Sequence, residues 1–209
     1  MDEVLENSTL EQTTCKKKVF STKNVAGMAV FTALAYVTYF LEIPIFAATP
    51  ASFLKLDFSC VFILLAGFMY GPLPAIIITV IKEALHIPVG TTLGVGELAN
   101  VIMTLAYVLV PTIVYKKKKG IKIVLITLAI GCLLQIGVAL LVNRFINYPF
   151  FSFMFGGSIF GYSVKEFFAI TWWLLILFNA IKTVSISIIT ILLYKRVSAL
   201  FKRISLQNS

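Results

Sequence analysis

One lysine sits in the middle of an apolar run that is long enough to cross a membrane. From Ile170 to Tyr194 the chain reads ITWWLLILFNAIKTVSISIITILLY, and Lys182 is the only charge in it. At about 1.5 Å of helical rise per residue such a run exceeds the roughly 30 Å of a bilayer's hydrocarbon core. An ammonium at that depth costs about 2.5 to 3.5 kcal/mol on insertion scales, so it must face protein or a polar cavity rather than lipid. Asn179 lies one turn earlier on the same helical face, and the two make a polar stripe on a greasy helix. Snorkelling or a structural hydrogen bond is the bland reading, but snorkelling serves lysines near helix ends, and this one is central. Lys182 and Asn179 are therefore candidate ligand-binding residues, with the ammonium satisfied by water when no ligand is present.

The rest of the chain agrees with a membrane setting. Apolar residues make up 59% of the 209, charged ones 13%, and mean hydropathy is +0.97, which excludes a water-soluble globule. Residues 1–23 are polar, end in Lys16, Lys17, Lys18 and Lys23, and read as a cytoplasmic tail. A first helix is expected from Val25 to Ile43, too long for a signal-peptide core, with a small-residue pair, Ala29 and Ala33, that lets another helix approach. Pro44 and Pro50 make Ile43 to Asp57 a loop at the membrane edge, and Asp57 can cap a second helix, Phe58 to Tyr70.

The Gly71-Pro72-Leu73-Pro74 turn leads into a third helix, Leu73 to Ile87, which carries Lys82, Glu83 and the single histidine, His86, expected to be structural. A glycine-bearing segment, 88–97, precedes a fourth helix, Leu98 to Tyr115. After Lys116, Lys117, Lys118, Lys119 and Lys122 comes a fifth, Ile121 to Leu141, with Gln135 on it and Asn143 just beyond. The stretch from Asn147 to Glu166, rich in Phe, Tyr, Gly and Ser, reads as a long loop against the headgroups. The sixth helix is the Lys182 run. It divides a transmembrane domain at 24–196 from a basic cytoplasmic tail at 197–209, with Lys195, Arg196, Lys202 and Arg203 around the boundary.

These elements predict an all-α membrane protein of six transmembrane helices. Placing both termini in the cytoplasm puts the three basic clusters, most of the 18 Lys and Arg, on one side, as the positive-inside rule asks. The formal charge of +9 is then an orientation signal and not a nucleic-acid footprint. Cys15, Cys60 and Cys132 are scattered and have no histidine at ligand spacing, so no metal site is expected. There is no GxxxxGK[ST] phosphate loop, no HExxH and no nucleophile beside a base, which argues against an ATPase or an intramembrane enzyme, and no cofactor is expected. No internal repeat supports a stand-alone secondary carrier. In this topology the first loop, 88–97, Asn143 and the aromatic stretch surround an outward-facing pocket suited to a flat, largely apolar ligand with hydrogen-bonding edges.

The segments FLKLDFS (Phe53 to Ser59), KEALH, GELAN, the Asn143 to Pro149 stretch and NAIK (Asn179 to Lys182) together resemble the riboflavin-specific S components of energy-coupling factor (ECF) vitamin transporters. The resemblance covers about residues 24 to 200. It implies the six-helix S-component fold in a bacterial plasma membrane and capture of riboflavin from outside. It also implies partnership with a transmembrane coupling protein and two ATP-binding subunits. By the same resemblance Asn143, Asn179 and Lys182 bind the vitamin, Ala48 and Thr49 lie in a contacting loop, and Ala29 and Ala33 face the coupling subunit. Cys60-Val61-Phe62 departs from the acidic residue and proline that relatives often carry there. The alternatives are an S component for another vitamin or a stand-alone carrier.

Overall fold

The computed structural model describes residues 21–90 and 92–207, with the backbone alone for residue 23 and for 195–207. The basic cluster Lys16 to Lys18 and most of the expected tail at 1–23 lie outside the described residues, as do the side chains of Lys195, Arg196, Lys202 and Arg203. The described chain is mostly helical: α1 Thr22–Tyr39, α2 Ser59–Tyr70, α3 Pro72–His86, α4 Val95–Lys117, α5 Ile121–Val142, α6 Tyr148–Met154 and α7 Val164–Gln207. A two-residue antiparallel ribbon, β1 Ile43–Pro44 with β2 Lys55–Leu56, closes the base of the first loop, pairing Ile43 with Leu56.

Local chemistry sets several of these boundaries. Gly71, at φ +105, makes the α2–α3 turn, and Pro72 then starts α3 where its missing N–H costs nothing. Buried threonines are tolerated in apolar helices because each hydroxyl donates back one turn, Thr79 to the Ala75 carbonyl at 2.8 Å and Thr112 to that of Val108 at 2.8 Å. At Gly131 the α4 and α5 backbones come so close that a Cβ would collide with the Tyr107 carbonyl.

The bundle packs α4 against α5, α5 against α7, and α2 in the middle, touching α1, α3, α4 and α7. Its main core is dry: Ile63, Leu64, Leu65, Ile78, Tyr107, Val108 and Ile186 are all buried. Outward faces are apolar too, Leu133 being 72% exposed and Leu192 63%, which in a soluble protein would be a standing aggregation hazard. Among the described residues three stretches are long and apolar enough to cross a membrane: Val95–Lys117, Ile121–Met154 and Val164–Tyr194. Asn24–Tyr39 and Ser59–Tyr70 are apolar but shorter.

One expectation needs correction. The Asn147 to Glu166 stretch is not one long loop. A π-helical turn, Asn143–Asn147, carries α5 directly into α6, and α7 already begins at Val164. Tyr148 to Met154 holds no glycine, and its one proline stands in the first turn of α6, so nothing breaks the helix. At the other end the backbone of α7 continues as helix to Gln207, across the boundary at 196.

Candidate functional site

The helix ends opposite the Lys116 to Lys122 turn enclose a cavity of about 520 Å³. Its rim and walls come from the C-terminal end of α1, the first loop, the 86–97 connection, the start of α4, the π-helical turn and the middle of α7. Three of the residues singled out from the sequence, Asn143, Asn179 and Lys182, line it together. Ala48 and Thr49 do not; the Thr49 hydroxyl donates to the Phe46 carbonyl at 2.9 Å and accepts from the Ala51 amide at 3.2 Å, holding the loop's turn. Ala29 and Ala33 are exposed on α1, away from the cavity, beside exposed Val30 and Leu34.

Lys182 has a carboxylate partner within the protein. Its Nζ lies 2.7 Å from Asp57 Oδ2, both groups being largely buried. Asp57 does cap the start of α2, accepting from the Ser59 amide at 3.1 Å, but it is also the counter-ion the sequence reading missed. The Ser59 hydroxyl donates to the same carboxylate, and Lys82 Nζ stands 3.1 Å from that hydroxyl. Burial alone would raise the Asp57 carboxyl, but Lys182 and then Lys82 outweigh it and hold the group well below the usual carboxylate range. Lys82 is itself paired with Glu83 at 2.7 Å and sits 4.0 Å above the Tyr39 ring. Two buried ammonium groups are thus balanced by two buried carboxylates, the arrangement a low-dielectric interior demands.

The amides form a second group. Gln135 Nε2 donates to Asn179 Oδ1 at 3.1 Å, fixing the Asn179 side chain, whose own Nδ2 donates to the Leu175 carbonyl at 2.8 Å. Asn143 donates to the Ala139 carbonyl at 2.8 Å and accepts from Asn147 Nδ2 at 3.0 Å. Asn147 Oδ1 is buried without a partner and its residue lines the cavity. A buried acceptor without a protein partner is a place for a donor from water or from a ligand. Asn143 and Asn147 bracket the π-helical turn and bond to each other, and such turns are frequent at functional sites.

Aromatic rings share the lining with the amides. Phe53 packs edge-on against Tyr148 and Phe151, with centroids 5.9 Å away in each case, and Phe178 meets Phe46 at 6.4 Å. Phe53, Phe151 and Phe178 line the cavity. A third wall is built by α3 and α4. His86 Nδ1 lies 2.9 Å from Glu97 Oε1, Thr92 donates to Glu97 Oε2 at 2.6 Å, and Asn100 donates to the Tyr39 hydroxyl at 3.1 Å. His86, expected as a purely structural residue, therefore belongs to the cavity wall. Neither Glu97 nor Asn147 carried a signal strong enough to be singled out: one polar residue per helix end is ordinary, and only the fold makes them neighbours.

The lining therefore combines amide donors and acceptors, aromatic rings and a paired ammonium. That chemistry suits a planar heteroaromatic ligand held edge-on by amides. Residues 23–194 match the model of the family described as ECF transporter, substrate-specific component. The chain is 31% identical over 182 residues to the riboflavin transporter RibU of Staphylococcus aureus (strain TCH60), covering 87% of this chain and 94% of that protein. It is 32% identical over 112 residues to the riboflavin transporter FmnP of Bacillus subtilis (strain 168), covering 52% of this chain and 58% of that one. A solved S component of a bacterial ECF transporter superposes with a TM-score of 0.70 at 30% identity, covering 86% of this chain and 98% of its own. The family model, the end-to-end sequence relative and the shared fold agree: this chain belongs to the substrate-specific components of ECF transporters.

Proposed function

We propose that this chain is the riboflavin-binding subunit of an ECF-type vitamin transporter. It captures the vitamin from outside and delivers it inward with a separate ATP-driven module, without itself acting on ATP. The observation that carries the reading is the cavity. Its volume of about 520 Å³ falls within the 300 to 1,000 Å³ range of small-molecule sites, and its amide, ammonium and phenylalanine walls match a flat tricyclic ring with a hydrogen-bonding edge. The relatives named for riboflavin support the choice of vitamin. In this reading Asn143, Asn179 and Lys182 hold the ring edge and Asn147 accepts the remaining donor. Ala48 and Thr49 hold the loop that closes the site.

The same reading has six helices crossing the membrane, α6 being peripheral, with both termini in the cytoplasm. The lysine-rich α4–α5 turn then lies on the positive inner side and the cavity on the outer. The exposed α1 face with Ala29 and Ala33 docks the coupling subunit, which carries two ATP-binding subunits. A titration of riboflavin with purified protein in detergent, followed by flavin fluorescence quenching, tests the core of this. The expected result is saturation at one vitamin per chain without nucleotide or metal. Absence of quenching by riboflavin alongside clear binding of another vitamin would move the chain to a sister specificity.

A further inference from the structure

Behind the Asp57–Lys182 pair lies a second buried pair, Lys82 with Glu83. Asp57 and Lys182 line the cavity, whereas Ser59, Lys82 and Glu83 lie outside its lining, each no more than 2% exposed. A buried ion pair adds little net stability over well-packed apolar side chains, so holding the fold together does not by itself account for these two charges. The Lys82 ammonium has three neighbours: Glu83 Oε1 at 2.7 Å, the Ser59 hydroxyl at 3.1 Å and the face of the Tyr39 ring at 4.0 Å. Its contact with Ser59 has a direction. An ammonium can only donate and a hydroxyl has one hydrogen, so Ser59 accepts from Lys82 and gives its hydrogen to Asp57 Oδ1. The Ser59 amide donates to the same oxygen at 3.1 Å. With Oδ1 committed, Oδ2 is left to hold the Lys182 ammonium at 2.7 Å. A lysine head on a flexible four-carbon stem has no fixed place of its own; the carboxylate gives it one.

Resting on the riboflavin reading above, in which Lys182 meets the vitamin, we infer that Lys82 is a positioning residue for binding: through Ser59 and Asp57 it holds the Lys182 ammonium in place from outside the cavity. The line runs from α3 through the start of α2 to the middle of α7. Without Lys82 the Ser59 hydroxyl is free to turn to another acceptor, and Asp57 loses both a bond and a neighbouring cation. Lys182 is then drawn further into neutralising Asp57 and offers less to a ligand. Loss of one such bond corresponds to riboflavin binding that is weaker by roughly 2- to 12-fold.

The test measures riboflavin dissociation constants by fluorescence quenching, and melting temperatures, on two variants. Lys82→Met with Glu83→Gln removes the second ion pair as a unit, so that no buried charge is stranded. Ser59→Ala cuts the line while leaving both ion pairs and the Ser59 amide's bond to Asp57 in place. Each is made in wild type and again in a background carrying Asp57→Asn and Lys182→Met. The expected result is a roughly 2- to 12-fold loss of affinity from either variant in wild type, and a loss within about twofold of none in the background, where the line has no ammonium left to position. A purely structural role would instead weaken binding by the same factor in both. Equal losses in the two backgrounds overturn the inference, as does an affinity unchanged by the Lys82→Met, Glu83→Gln pair in wild type. Should that pair fail to fold, Ser59→Ala decides by the same criteria. A wild type that does not bind riboflavin overturns the riboflavin reading itself, an outcome distinct from the others.

Discussion

The two ends of the bundle are built on opposite rules. Towards the α2–α3 and α4–α5 turns the interior is a dry pack of Ile63, Leu64, Leu65, Val108, Val124 and Leu128, with isolated hydroxyls such as those of Tyr115 and Tyr194, which pair with each other, and of Thr190, which has no side-chain partner. Towards the cavity the interior holds Asp57, Ser59, Lys82, Glu83, Glu97, Gln135, Asn143, Asn147 and Asn179, all buried, in networks that cross between helices. The apolar half can lose one side chain's volume and still bury the rest. The polar half cannot lose one partner without stranding another, because an uncompensated buried charge is far more costly than a small void. The dry half therefore holds the helices, and the polar half is the part we propose as the ligand site.

The comparison breaks most readily at Lys182. Replacing it with Met removes the charged donor, and riboflavin affinity should fall by roughly 10- to 150-fold. It also leaves Asp57 without its nearest counter-ion, so melting temperature should drop by the equivalent of about 3 kcal/mol. Before the ion pair is seen, the expectation for Lys182→Met is unchanged or improved stability; the pair reverses it. Adding Asp57→Asn to Lys182→Met should recover most of the stability and none of the affinity, since it removes the stranded charge without restoring the donor.

In the dry half the pattern should invert. Gly131→Val drives a side chain into the Tyr107 backbone and should destabilise by about 1 to 3 kcal/mol, while the folded fraction keeps its riboflavin affinity. Thermal unfolding and titration on one sample separate the two effects. A large affinity loss at Gly131 with no melting shift would mean the halves are not independent.

Asn179→Ala is a smaller perturbation of the polar half. It removes one neutral donor and acceptor and frees Gln135 Nε2, and affinity should fall by roughly 2- to 12-fold. Trp at both Ala29 and Ala33 should leave affinity unchanged, because these exposed positions touch neither half, and should reduce ATP-driven uptake in cells. Uptake unaffected by both would place the docking face elsewhere.

Much of this was legible from the chain. Helix ends marked by Gly71, Pro72 and the lysine run fall within a few residues of expectation, since an apolar segment bounded by helix breakers has few other options. Lys182 stood out because a charge in a greasy run has to be explained. Its partner did not: Asp57 is 125 residues away, at a loop edge where a carboxylate is unremarkable as a helix cap. The π-helical turn and α6 were hidden because aromatic residues with Ser and Asn suit a headgroup loop as well as a helix, and tertiary packing decided between them. Tyr148 is buried against Phe53 and Phe167, contacts no local pattern reports.

The central claim is that the buried polar end, and Lys182 within it, holds a flavin. It is tested most directly by purifying wild type and the Lys182→Met, Asp57→Asn double variant from cells supplied with riboflavin, denaturing both and measuring released flavin per chain. The account predicts close to one flavin per wild-type chain and little from the double variant, with melting temperatures of the vitamin-free proteins close together. Equal flavin released from both would contradict it.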